Sequence, residues 1–207
     1  MRIWIDLANS PQILFFHPLI KELNKLGCST FITSRDYAQT VSLADQYHID
    51  HTILGSHGGK KWHRIITTNT NRVIKLMKWS KSNGPFDLAV SHNSYTQALA
   101  AKLLRIPFIT LMDYEHQKLN HLCFRLAEKV IVPHPFPEDM LEKFGAKKKF
   151  VKYSGLKEQM YLCGFKPKQN YISNLGIPES KVIVVMRPPA PWATYHRFEN
   201  NLFGMVI

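Results

Sequence analysis

A chain of 207 residues with 45% hydrophobic and 12% aromatic content can core one domain, or one domain and part of another, and does not have the composition of a disordered chain. It holds no uninterrupted apolar run of about 18 residues, which argues against a transmembrane helix. The net charge of +12 points to anionic partners: phosphates on lipids, nucleotides or nucleic acid.

Arg2-Ile3-Trp4-Ile5-Asp6-Leu7 reads as a buried strand, and Ala8-Asn9-Ser10-Pro11 breaks it. Helical spacing runs from Ile13 to Leu26, Gly27 stops it, and Ser29 to Ser34 reads as a second strand. Asp36 to Tyr47 reads as a helix capped by Asp36, Thr52-Ile53-Leu54 as a short strand, and Gly55 to Gly59 as a flexible loop. A long basic helix extends from there to Ser82, where Asn83-Gly84-Pro85 ends it. Strands then follow at Phe86–Ser91, Pro107–Met112, Val130–Val132 and Phe150–Tyr153. Between them lie helices at Ser94–Leu104, Gln117–Glu128 and Pro137–Phe144. From Cys163 to Ser180 the chain is polar and rich in turn residues, and Lys181 to Met186 reads as the first strand of a second sheet.

This alternation predicts an α/β fold with a Rossmann-like, doubly wound parallel sheet. The expected organisation is a domain over 1–162, a linker over 163–180 and the start of a second domain over 181–207. Right-handed crossovers put every strand-to-helix loop at one sheet edge, where such sheets hold ligands. The chain opens on a strand without a signal segment. Cys28, Cys123 and Cys163 lack metal-ligand or redox spacing, so the expected setting is cytoplasmic and the expected metal content none.

Several residues on those loops carry candidate chemistry. Asn9 and Ser10 begin a helix, where free backbone N–H groups favour an anion, although either residue could simply cap the helix. Asp6, at the strand's end, could reach a ligand or bond loop amides. His92, Asn93 and Ser94 end a central strand, and Asp113, Glu115 and His116 end the next. A carboxylate beside an imidazole can act as a general base. Glu115 with His116 is the first candidate pair and His92 the alternative; the bland reading makes all of them turn formers.

Gly58, Gly59 and Lys60 form a Gly-rich turn without the phosphate-loop pattern. Lys60, Lys61, Arg64, Arg72, Lys75, Lys78 and Lys81 lie between Gly58 and Ser82 with no Asp or Glu among them. In this helix Trp62, Ile65, Ile66, Val73 and Met77 fall near one face, and Arg64, Arg72, Lys75 and Trp79 on another. The expectation is an apolar stripe packed on the sheet and exposed cations that attract anionic lipid or phosphate.

The stretches Ile3–Pro11, Thr33–Asp36, His57–Lys60, Ala89–His92, Asp113–His116 and Gly155–Glu158 resemble domain-of-unknown-function family 354. That family is similar to GT-B glycosyltransferases and to the nucleotide-sugar 2-epimerases that share their two-domain fold. The resemblance covers almost the whole chain. It implies the N-terminal, acceptor-side half of a GT-B-type fold, acting with a nucleotide-sugar co-substrate and no tightly bound cofactor. The converging polar loops and the basic helix add the expectation of a phosphate-bearing or lipid-linked acceptor and of peripheral contact with the inner face of a membrane. Arg187 and His196 would then meet the nucleotide. Arg187-Pro188-Pro189 stands where the epimerases carry His-Arg-Arg-Glu-Asn, and their Glu-Ala-Gly-Leu-Arg stretch is absent, which argues against epimerase activity. The 207 residues alone are expected to be inactive. The competing reading is a non-catalytic module that binds polyanions or nucleic acid; no nucleic-acid motif supports it.

Overall fold

A computed structural model describes residues 1–59, 61–168, 170–178, 180–186 and 204–205. Seven parallel strands alternate with helices: β1 (Arg2–Leu7), α1 (Pro11–Lys25), β2 (Ser29–Asp36), α2 (Thr40–Gln46), β3 (Thr52–Ser56), α3 (Trp62–Asn83), β4 (Leu88–His92) and α4 (Tyr95–Leu104). They continue through β5 (Phe108–Leu111), α5 (Asn120–Leu126), β6 (Lys129–Pro133), α6 (Glu138–Lys143), β7 (Phe150–Tyr153) and α7 (Glu158–Leu162). The strand order is β3-β2-β1-β4-β5-β6-β7. Its direction reverses between β1 and β4, and the Rossmann-like doubly wound sheet expected from the sequence is present.

The period of two along β1 sorts its side chains between two cores. Ile3, Ile5 and Leu7 join Ile13, Phe16 and Ile32 on one face. Trp4 joins Leu76, Phe86, Ala98, Phe108 and Phe124 on the other. Because helices cover both faces, β1 is buried from Ile3 to Leu7. Ala98, Ala100 and Ala101 are fully buried, and these small side chains let α4 lie close to the sheet.

Asp6 shares the face of Trp4 and is also fully buried. Its Oδ1 accepts from Arg72 Nη2 at 2.7 Å and its Oδ2 from Arg72 Nη1 at 2.9 Å. Thr33 Oγ1 donates to Asp6 Oδ1 at 2.7 Å and itself accepts from Trp4 Nε1 at 2.9 Å. Arg72 Nε donates to the Leu54 carbonyl at 2.8 Å, and Nη1 also donates to Thr96 Oγ1.

This corrects part of the expected face of α3, of which Val73 and Met77 do pack against the core. Arg72 is buried, not a surface cation, and it forms an inward stripe with Leu76 and Ser80. Trp62 and Ile66, expected against the sheet, are 73% and 56% exposed. The stretch Trp62–Thr70 contributes no fully buried side chain.

Three expected borders also shift. Asp36 does not cap α2: β2 continues through it, and a turn at Tyr37–Gln39, with Ala38 at φ 49°, precedes the helix. α5 starts at Asn120 and not at Gln117, because buried Asn120 donates from Nδ2 to the Tyr114 carbonyl and holds the preceding residues as a loop. Lys181–Met186 forms neither strand nor helix, and Val182, Val184 and Val185 are exposed; one strand without a partner cannot persist.

Cα proximity separates Met1–Cys163 from Gly164–Ile207, and within the latter a short α8 (Tyr171–Asn174) is formed.

Removing one partner of a buried ion pair strands the other. Arg72→Met is therefore expected to lower unfolding free energy by about 3–5 kcal/mol in urea denaturation. Thr33→Val, which leaves the Trp4 indole N–H unpaired, is expected to lower it by about 1–3 kcal/mol. Replacing both ions with apolar residues, Asp6→Leu with Arg72→Met, is expected to recover most of the Arg72→Met loss.

Candidate active site

The strand-to-helix loops gather at the C-terminal edge of the sheet, beside the reversal between β1 and β4. Two residues expected to touch a ligand there lie beneath it. Asp6 has its carboxylate filled from Arg72, Thr33 and Ser94. Ser94 is 2% exposed, donates to Asp6 Oδ2 at 2.5 Å and caps α4 by accepting from Gln97 N. Both position the edge and do not face it.

The β1–α1 loop is pinned in the same manner. Asn9 Oδ1 accepts from Ser10 N at 2.9 Å, and Ser10 Oγ accepts from Gln39 N at 3.1 Å, tying this loop to the one before α2. Gln12 spans the reversal itself. Its Oε1 accepts from Ala8 N at 2.6 Å and its Nε2 donates to the His92 carbonyl at 2.8 Å. Sequence reasoning overlooked Gln12, because a glutamine in a first helical turn carries no signal of what its amide will meet.

Three loops meet at Asp113. His92 Nε2, at the end of β4, lies 3.2 Å from Asp113 Oδ1, and Lys157 Nζ, from the β7–α7 loop, pairs with Oδ2. Burial by itself would raise the Asp113 pKa. The hydrogen bonds and positive charge of His92 and Lys157 outweigh it and hold the carboxyl well below the usual range. The same environment acts on Tyr153, whose hydroxyl is pushed up to about 12 by burial and by the negative charges of Asp113 and Glu158. Phe15 meets the His92 ring edge-on at 5.9 Å between centroids, which fixes its plane. In the tautomer whose Nε2 donates to the carboxylate, Nδ1 is the ring's acceptor.

Asn93 adjoins this group with a left-handed backbone, φ 56°. Its Nδ2 donates to Asn120 Oδ1 at 3.0 Å, whereas its buried Oδ1 has no partner. An acceptor in that condition at a ligand edge is a candidate contact.

The preferred pair from the sequence is arranged differently. His116 Nε2 and Glu115 Oε1 are 3.5 Å apart, and the His116 side chain is 66% exposed. They are chain neighbours in the β5–α5 loop, and no hydrogen bond between their side chains and His92 or Asp113 is formed among the described residues. Gly58 is buried for packing: an added Cβ would lie 2.3 Å from Thr68 Oγ1 and 2.8 Å from the Arg64 carbonyl. Gly59, at φ +73°, supplies the turn that leads to α3. Lys60, Arg187 and His196 lie outside the described residues. Among the described residues no group of three or more His, Cys, Asp or Glu could hold a metal ion. A groove of about 880 Å³ lined by His17, Tyr47, His51 and Trp79 opens at the opposite edge. The chemistry-bearing loops are not there.

A family model described as "Protein of unknown function (DUF354)" matches residues 1–203. An uncharacterized protein of Methanocaldococcus jannaschii is 30% identical over an alignment of 211 positions, which covers 99% of this chain and 61% of that protein. The chain therefore spans less than two thirds of this curated relative. Among solved structures, a UDP-N-acetylglucosamine 2-epimerase superposes with TM-score 0.60 at 16% identity over 73% of this chain and 47% of the other. The UDP-GlcNAc 2-epimerase of M. jannaschii gives 0.58 at 15% identity, over 73% of this chain and 45% of that one. MurG of Acinetobacter baumannii gives 0.53 at 17% identity, over 66% and 42%. At these identities the likeness is one of fold alone, a Rossmann-like domain matching less than half of each of these GT-B-fold neighbours.

Lys157→Met is expected to move the Asp113 carboxyl upward, toward the ordinary carboxylate range, in an NMR titration. Because the folded-state pKa is depressed, the stability that Asp113 contributes is complete above its unfolded value of about 4 and is lost as pH falls below it. The gap in urea midpoint between the wild type and Asp113→Asn is therefore expected to narrow from about pH 6 to about pH 2.

Proposed function

We propose, on the premise that the chain belongs to the DUF354 family, that it forms the acceptor-side wall of a glycosyltransferase-like site using a nucleotide-sugar. The observation that carries this reading is the His92–Asp113–Lys157 cluster at the reversal of the sheet. Fold neighbours described with UDP-GlcNAc or thymidine diphosphate support the choice of co-substrate. The acceptor is an alcohol on a phosphate-bearing or lipid-linked molecule, with the positive field of the chain favouring its approach.

In this mechanism His92 Nδ1 takes the proton from the acceptor hydroxyl. The resulting oxygen forms a bond to the anomeric carbon, while the bond from that carbon to the nucleoside diphosphate breaks and the leaving group keeps the electron pair. Asp113 orients the imidazole and stabilises its charged form, and the Lys157 ammonium keeps Asp113 ionised. Asn93 Oδ1 is available to accept from a substrate hydroxyl. The reading invokes no tightly bound cofactor. Glu115 and His116 form the outer rim of the same loop.

The test is a panel of nucleotide-sugars with hydroxyl- and phosphate-bearing acceptors, run on this chain and on the full-length M. jannaschii relative. Transfer by the relative, with acceptor binding by this chain, is the expected result. In a transferring protein carrying this site, His92→Gln is expected to lower kcat about 10²–10⁴-fold in protein that remains folded at the assay temperature. Absence of both turnover and binding with every nucleotide-sugar tried would overturn the reading. So would full activity in His92→Gln.

A further inference from the structure

We infer that the first turns of α3 form a membrane-docking surface that seats on an anionic lipid bilayer. α3 is 22 residues long, but its buried residues, Arg72, Leu76 and Ser80, lie only from its midpoint onward. Trp62 and Ile66, one helical turn apart, are 73% and 56% exposed, and Ile74 is 46% exposed. An indole and two branched aliphatic side chains in water are not needed by either core of the sheet. They have the composition of an interfacial anchor, in which Trp and large aliphatics enter the headgroup boundary.

Charge identifies the occupant. Arg64, Lys75, Lys78 and Lys81 are all exposed on the same helix, as is Lys61 just before it. From Gly55 to Pro85 the chain contains no Asp or Glu. A neutral protein partner would complement the apolar side chains but not the cations. A nucleic acid would complement the cations, yet it would leave the exposed Ile66 and Ile74 side chains in water. An anionic bilayer complements both.

The place in the fold supports the same assignment. α3 follows the C-terminal end of β3, so Trp62 emerges at the sheet edge that bears His92 and Asp113. Docking there would bring a lipid-linked acceptor to the correct edge. In that respect the inference deepens the acceptor reading above, although vesicle binding is measured without any nucleotide-sugar and succeeds or fails independently of turnover.

The experiment is co-sedimentation of the full chain with vesicles of phosphatidylcholine, with and without phosphatidylglycerol. Binding is expected only with the anionic lipid and is expected to weaken in high salt. Trp62→Ser with Ile66→Ser should reduce it about tenfold or more at unchanged melting temperature, since both side chains are exposed. Lys75→Gln with Lys78→Gln should reduce it on the order of tenfold as well. Vesicle binding that is absent, or that survives the Trp62/Ile66 variant, overturns the inference. It is also overturned if these two residues prove to be needed for binding single- or double-stranded nucleic acid instead, or for a dimer seen by light scattering.

Discussion

The carboxylate of Asp6 and the guanidinium of Arg72 meet in the interior, 66 residues apart in the chain, with no access to water. Removing two such ions from solvent is tolerable only when each finds nearly all its partners within the fold. Here the partners come from five elements: β1 supplies Asp6, α3 Arg72, β2 Thr33, α4 Thr96 with its cap Ser94, and β3 the Leu54 carbonyl. The long helix can therefore seat in one register only. Gly55 makes room for it, since a Cβ there would stand 3.1 Å from Arg72 Cγ. The pair acts as a keystone more than as a source of net stability.

Above that keystone the same chemistry recurs in a wetter form. Asp113 again receives a cation and a second donor, but its side chain is about a fifth exposed and its partners can exchange with solvent or substrate. The two carboxylates thus divide the work. One is sealed and fixes where the strand ends lie; the other is open and sets the charge at the edge they form. Lys157 makes the second arrangement depend on the loop after β7, three strands from β4.

Much of this was legible from residue order. Apolar strands alternating with helices require a parallel sheet, and a parallel sheet requires its loops to gather at one edge. The Gly27 stop, the Ala-rich α4 and the His92 and Asp113 loop ends all follow from such local signals. What escaped was set by distance. Nothing beside Arg72 distinguishes it from Lys75 or Lys78; its burial comes from Asp6, on another element. Lys157 pairs with Asp113 across 44 positions, and a charge in a loop does not announce its partner. Glu115 and His116 looked more promising because adjacency in sequence is visible and adjacency in space is not. Trp62 misled in the opposite sense: helical periodicity marks an apolar face without saying whether protein or something else will cover it.

The Gln12 amide has one more implication. The β1–β4 ladder ends with Asp6 opposite Ser91, and beyond it the two chains part toward helices. Gln12 accepts from one departing chain and donates to the other, as a peptide group would in a further rung. A side chain is thus standing in for backbone, and one carboxamide bridges the two chains where they part. Glutamate would supply the length but no donor, and asparagine the amide but not the reach. The span of that bridge is written in a single residue type.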